Sequence, residues 1–279
     1  MESSARPSSD VRSPRVPNAL SGAAIGFGVL MLFLSGRVLM APFGVAGLGV
    51  GQWLFLALPV LAALHLGGFD LVESLALRPV GPRTLVGSGF LMFGALGMNS
   101  VVAWIQTFWM EIPVELLDAL ETALRPSGPM ELVGVLTAAA LTPAVCEEVV
   151  FRGVMLQSWR RWPAAVAIGV NALAFGAIHY VPGTAFRVLP ASLSGAFIGW
   201  AVWRTRSLWV GVWMHALNNG FLLLGAMALP ELDSLATSEQ AAGAAGDAPH
   251  PLAIAAFTVL IVAGHRLMVP SPPQSADHA

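Results

Sequence analysis

Eight apolar runs, most of them near twenty residues long, dominate the chain and leave it few ways to fold. They cover about 19–40, 47–66, 85–108, 132–156, 164–180, 187–203, 208–229 and 251–268. A run of about 20 residues with few charges is long enough to cross a bilayer. In hydrocarbon such a segment must satisfy each backbone N–H and C=O internally, which leaves helices or closed barrels. Barrel strands would be about ten residues long and alternate in polarity, and neither feature occurs. The expected fold is therefore all-α: a polytopic membrane helix bundle of about eight transmembrane helices. The run at 187–203 is short for a span. A cleaved signal peptide competes for the first run, but that run is long for such a segment and no small-x-small site ends it.

Composition agrees. Of 279 residues, 56% are hydrophobic and 11% charged, against roughly 25% charged in a soluble domain. One core could not hide so much apolar side chain. A soluble enzyme, a disordered chain and a secreted disulfide scaffold are excluded, and the single cysteine, Cys146, has no partner within the chain.

Arginine placement sets the expected orientation. The chain has no Lys, and its net charge of −2 argues for no nucleic acid partner. With the N-terminus inside, the inner face receives Arg6, Arg12, Arg15, Arg78, Arg83, Arg160, Arg161, Arg204, Arg206 and Arg266. The outer face receives Arg37, Arg125 and Arg187, beside acidic outer loops. The reading is N-in/C-in, an integral protein of a bacterial inner (plasma) membrane. Its expected segments are a disordered cytoplasmic tail at 1–17, N-terminal spans at 18–130, a core at 131–230, a flexible outer loop at 231–250, and a last span with a short tail at 251–279. Apolar spacing within 111–125 predicts a surface amphipathic helix. Gly195 and Gly199 form a GxxxG pair suited to close helix packing within the chain, and Trp200, Trp203, Trp209 and Trp213 read as an inner-interface belt.

The informative residues are the polar ones inside spans, each costing about 2.5–3.5 kcal/mol or more at the bilayer centre. The fourth run carries Cys146-Glu147-Glu148 and, four residues beyond Glu148, Arg152. On a helix Glu148 and Arg152 stand i, i+4 with the acid first, the favourable order for an ion pair. Glu147 points about 100° away and is left to face a cavity as a general base. A structural polar knot at a helix end is the bland alternative. The fifth run ends near Phe175 and His179, and the seventh carries His215 and Asn219, again i, i+4. Alone, each could be interhelical glue. Together they supply a carboxylate, two imidazoles and an amide, enough for water activation with an oxyanion clamp.

These motifs, in this order, resemble the type II CAAX prenyl endopeptidase and bacteriocin-immunity family of intramembrane proteases (CPBP, or Abi): Glu147-Glu148-Val-Val-Phe-Arg152, Phe175-x-x-x-His179 and His215-x-x-x-Asn219. The resemblance covers about 130–230. It implies an intramembrane endopeptidase in which Glu147 activates water, His179 helps to hold it, His215 and Asn219 stabilise the oxyanion, and Glu148 and Arg152 form a structural pair. The implied substrate is a membrane-anchored protein met in membrane lipid, carrying a CAAX-type or C-terminal sorting-signal tail. The Cys-Glu-Glu variant is similar to the myxosortase-like members, in which Cys146 would be an accessory group. No cofactor is expected; the alternative is zinc held by Glu147, His179 and His215, which could supply three ligands. A non-catalytic scaffold or immunity protein of the same fold is the rival reading. One feature of the simple topology fits poorly: at 1.5 Å per residue, Glu147 and His179 differ in depth by roughly 9 Å. Tilt, or a fourth helix running past Leu156, would reduce this.

Overall fold

Two prolines inside apolar runs decide where the helices of this bundle deform. A helical proline lacks its N–H and clashes with the carbonyl four residues back, which for Pro59 and Pro143 is that of Phe55 and Ala139. In the computed structural model both clashes are absorbed by a π-helical turn around that carbonyl, Trp53–Ala57 and Thr137–Leu141. The structure describes residues 14–111, 113, 122–180, 183–228 and 248–268. Most of the expected tail at 1–17, surface helix at 111–125 and loop at 231–250 lies outside them.

The described residues are almost all helical and contain no strand. α1 is Ala19–Met40, and α2 runs from Gly44–Gln52 through the π turn into Leu58–Leu66. A short α3, Leu71–Leu75, precedes α4, Pro82–Gln106. α5 spans Pro129–Ser158 with both the proline-linked π turn and a second π segment, Val149–Met155. α6 is Ala164–Ala177, α7 Val188–Thr205, α8 Leu208–Ala228 and α9 Pro251–Met268. Each of the eight apolar runs overlaps one long helix. Five stretches are long and apolar enough to cross a membrane, with Ala19–Leu66, 48 residues, counted as one. The chain is an integral membrane protein. α6, at 14 residues, is shorter than a bilayer-crossing helix. α8 has the length, but His215, Asn218 and Asn219 dilute its hydropathy.

Several boundaries differ from the sequence reading. α2 begins earlier, at Gly44, whose φ of +54° closes the turn Ala41–Phe43 in a conformation that suits glycine. The 48-residue stretch is therefore a hairpin, in which Gly36 packs on Phe55 and Gly51 on Met40. α5 begins at Pro129 and continues to Ser158. α6 stops at Ala177, so His179 stands in the turn that follows rather than inside the helix.

α5 is the innermost helix, touching α1, α2, α3, α6 and α8. One apolar core gathers Leu30, Phe33, Leu56, Val60, Phe151 and Leu156 around it; a second joins Leu91, Met92, Ile198, Val202, Val210 and Met214 from α4, α7 and α8. α4 and α9 approach so closely that a Cβ on Gly264 would lie 2.6 Å from the backbone oxygen of Gly87 and from Leu91 N. Backbone cannot swing aside as a side chain can. Gly264→Ala is therefore expected to part the two helices and cost about 1–3 kcal/mol, the usual cost of overpacking, read as a lowered unfolding midpoint in detergent.

Arg78, Arg160 and Arg206 lie within reach of one another's charge. Arg160 donates to Trp203 O at 2.8 Å and lies over the Trp203 ring. Burial, reinforced by the charges of Arg206 and Arg78, pushes the Arg160 guanidinium down to about 10. Ser207 Oγ donates to Arg78 O and Leu208 N to Ala76 O, which anchors the start of α8. Arg187 feels the charge of Arg37.

Candidate active site

The second π segment of α5 gives the site its footing. Seven residues, Val149–Met155, leave the regular i→i−4 ladder, and such bulges free carbonyls for other donors. Asn171 of α6 donates Nδ2 to Phe151 O at 2.8 Å, and Gln157 donates to Arg152 O at 2.8 Å. Both tie the distorted turn to its neighbours, and Arg152 sits within it.

Glu148 and Arg152 form the ion pair their spacing implies. Arg152 Nη1 donates to Glu148 Oε1 at 2.9 Å, and both side chains are wholly buried. The guanidinium lies 4.3 Å from the centre of the Phe175 ring and donates Nη2 to Gly195 O at 3.0 Å. Gly195, the first glycine of the GxxxG pair, is what makes room. A Cβ there would meet Arg152 Nη2 at 3.2 Å and Phe175 at 3.1 Å. The motif thus serves packing within the chain, of α7 on α6 and on the arginine.

A third group joins the pair. His215 Nδ1 bonds Glu148 Oε1 at 3.0 Å. Glu148 therefore fastens α8 to α5 as well as neutralising Arg152. Gly211, one turn earlier on α8, permits the approach, since a Cβ there would lie 2.6 Å from Glu148 Oε2.

Glu147 has a different environment although it is the next residue. Its Oε1 accepts from Gln52 Nε2 at 3.0 Å, and its Oε2 lies 3.9 Å from His215 Nε2. Oε2 is buried and has no hydrogen-bond partner. Glu148 is thus charge-paired with Arg152 while the hydrogen-bond donor to Glu147 is a neutral amide, and each carboxylate keeps a buried Oε2 without a hydrogen-bond partner.

His179 reaches the same place from the turn after α6. Its Nδ1 bonds Phe175 O at 2.8 Å, so Nδ1 carries the hydrogen and Nε2 faces outward. The Phe175 ring lies 4.8 Å from His179 and 5.5 Å, edge-on, from His215. The two imidazoles share one aromatic wall. Asn219 is held from the side: Asn218 Nδ2 donates to Asn219 Oδ1 at 3.0 Å, Ser194 Oγ to Asn218 Oδ1 at 3.2 Å, and Asn99 Nδ2 to Ser194 Oγ at 2.8 Å. This chain crosses from α4 through α7 to α8. Cys146 is buried in the apolar core beside Val150 and Phe151.

Gln52, Asn99, Ser194, Asn218 and Asn171 did not emerge from the motifs. Their only signal was a polar residue inside an apolar run, the test that exposed Glu147. Among the described residues no three His, Cys, Asp or Glu side chains are placed to hold one metal ion.

Residues 129–221 match the family model described as Type II CAAX prenyl endopeptidase Rce1-like. The match begins with α5 and ends within α8, and it includes Glu147, Glu148, Arg152, His179, His215 and Asn219. No curated protein and no solved structure matches the chain.

Proposed function

We propose that the chain is an intramembrane endopeptidase that hydrolyses a peptide bond in a membrane-tethered protein by means of water activated at Glu147. The observation that carries the reading is the contrast between two adjacent buried carboxylates. Glu148 Oε1 is bound by the Arg152 guanidinium and by His215, whereas Glu147 has only the neutral Gln52 amide as a hydrogen-bond donor, with its Oε2 3.9 Å from His215 Nε2. The match of residues 129–221 to the Rce1-like model supports the same activity.

In the proposed reaction, Glu147 Oε2 takes a proton from water as the oxygen attacks the scissile carbonyl carbon. The carbonyl π pair moves onto oxygen. His215 Nε2 and the Asn219 amide receive that oxyanion. For His215 to donate there, Nε2 must carry hydrogen while Nδ1 faces Glu148, which is the imidazolium form, offset by two nearby carboxylates. Glu147 then passes its proton to the leaving nitrogen as the C–N bond breaks, yielding a carboxylate and an amine with no covalent intermediate. His179 helps to hold the water. No metal is used in this scheme. The substrate proposed is a CAAX-type or C-terminal sorting-signal tail in a bacterial inner membrane.

The amide of Asn219 is a useful donor only if its orientation is set. With Oδ1 receiving Asn218, its Nδ2 is the end left for substrate. Asn218→Ala removes that constraint and is expected to lower kcat about tenfold, the equivalent of one hydrogen bond of about 1.4 kcal/mol, with KM little changed.

Terminal proteomics on cells carrying the parent chain or Glu147→Gln at matched expression tests the reading. A defined set of proteins with uncut C-termini or membrane-retained tails in the variant is the expected result. Unchanged termini, with Glu147→Gln still giving the parental phenotype, would replace the enzyme with a scaffold or immunity protein.

A further inference from the structure

Gln52 stands on α2, outside the segment that matches the family model, yet its side chain ends in the site. It is 3% exposed. It lies at the junction where α2 passes into the π turn forced by Pro59. Gly49, one turn earlier on the same face, brings α2 against α5, with a Cβ there only 3.2 Å from that of Ala138. A glutamine buried in a membrane helix needs partners for two donors and a carbonyl oxygen. One donor is used on Glu147 Oε1 at 3.0 Å. The amide cannot be turned round, because a carboxylate only accepts and its oxygen would repel the Gln52 carbonyl. Gln52 Oε1 is therefore fixed on the far side of the amide, buried and without a partner. Glu147 Oε2, on its hydrogen-bonded neighbour, is also buried without one.

Two acceptors on hydrogen-bonded neighbours call for one molecule with two donors. We propose that Gln52 is a positioning residue of the active site: its N–H fixes the Glu147 carboxylate and its carbonyl oxygen holds the second hydrogen of the attacking water. The inference rests on the hydrolytic reading above. The water donates one hydrogen to Glu147 Oε2, which will remove it, and the other to Gln52 Oε1, which will not. An amide suits this role because it neither takes the proton nor gives one up. The lone pair of the water is then directed away from both acceptors, toward the substrate carbonyl. The N-terminal hairpin in this way completes a site whose other residues all lie between α5 and α8.

The test uses the purified full-length protein in lipid nanodiscs with an internally quenched farnesylated CAAX peptide as probe. Gln52→Leu is expected to lower kcat about 10–100-fold, as loss of an orienting partner does, with KM within about twofold of the parent. Gln52→Met, unbranched and of similar volume, should behave alike and separates chemistry from packing. Gln52→Glu has the shape of the native side chain and regains a donor only when protonated. Its activity should recover as the pH is lowered, whereas Gln52→Leu and Gln52→Met stay slow throughout. Parental kcat in folded Gln52→Leu and Gln52→Met would overturn the proposal. A second readout needs no substrate: the infrared carboxylate band of Glu147, assigned by its loss in Glu147→Gln, should shift in Gln52→Leu, and an unshifted band also overturns it. A shifted band with no Glu147-dependent cleavage of any peptide would sink the hydrolytic reading while leaving the Gln52–Glu147 bond established.

Discussion

Glu147→Gln is expected to reduce peptide hydrolysis by about 10²–10⁴-fold or more, the range attributed to general-base catalysis, in a protein that still folds and inserts. The fold should survive because the substitution keeps the shape of the side chain and an acceptor oxygen for Gln52. What it removes is the capacity of Oε2, now without a partner 3.9 Å from His215, to accept a proton. The measurement is kcat of purified parent and variant on the farnesylated peptide, with unfolding midpoints taken in the same detergent. Equal midpoints with a collapsed kcat are the expected result. Equal rates would remove Glu147 from the chemistry, and a collapsed midpoint would return it to the role of a structural knot.

The largest effect on stability is expected at Arg152. Arg152→Ala leaves Glu148 and Glu147 buried with no guanidinium between α5 and α7, and it strips Gly195 O and the Phe175 face of their partner. Removing one member of a buried pair costs about 3–5 kcal/mol, a large share of the 5–15 kcal/mol that keeps a typical domain folded. Little monodisperse protein should be recovered. Glu148→Gln should cost less, because an amide oxygen still accepts from Arg152. The double variant Glu148→Leu with Arg152→Met should recover more folded protein than Arg152→Ala, since apolar replacement of a whole pair is tolerated, and yet remain inactive because His215 loses its anchor. Parental yield and midpoint for Arg152→Ala would refute the assignment of the pair as the joint of the bundle.

Much of the site was legible before any coordinates. The acid-first i, i+4 spacing of Glu148 and Arg152 is a local property of a helix, and their pair is found as read. The angular offset of Glu147 is local too, and it separates that carboxylate from the Glu148–Arg152 pair. The second i, i+4 reading, His215 with Asn219, carried less. His215 bonds Glu148 on another helix, and Asn219 is held by its neighbour Asn218 at the end of a chain reaching Asn99. Spacing along one helix tells which residues share a face, not which helix that face meets.

The sequence by itself determined the all-helical membrane class and the residues too polar for lipid. Both follow from short-range physics: a backbone in hydrocarbon must bond to itself, and an ionisable group there needs a reason. Only the tertiary structure decided that Gln52 reaches Glu147 and that Gly195 and Gly211 admit Arg152 and Glu148. It also placed His179 in a turn against the same Phe175 ring that His215 meets. These depend on which helices approach and on how two prolines and a π segment rotate them. Such close approach is set by the packing of the whole bundle, which no single run of the chain encodes.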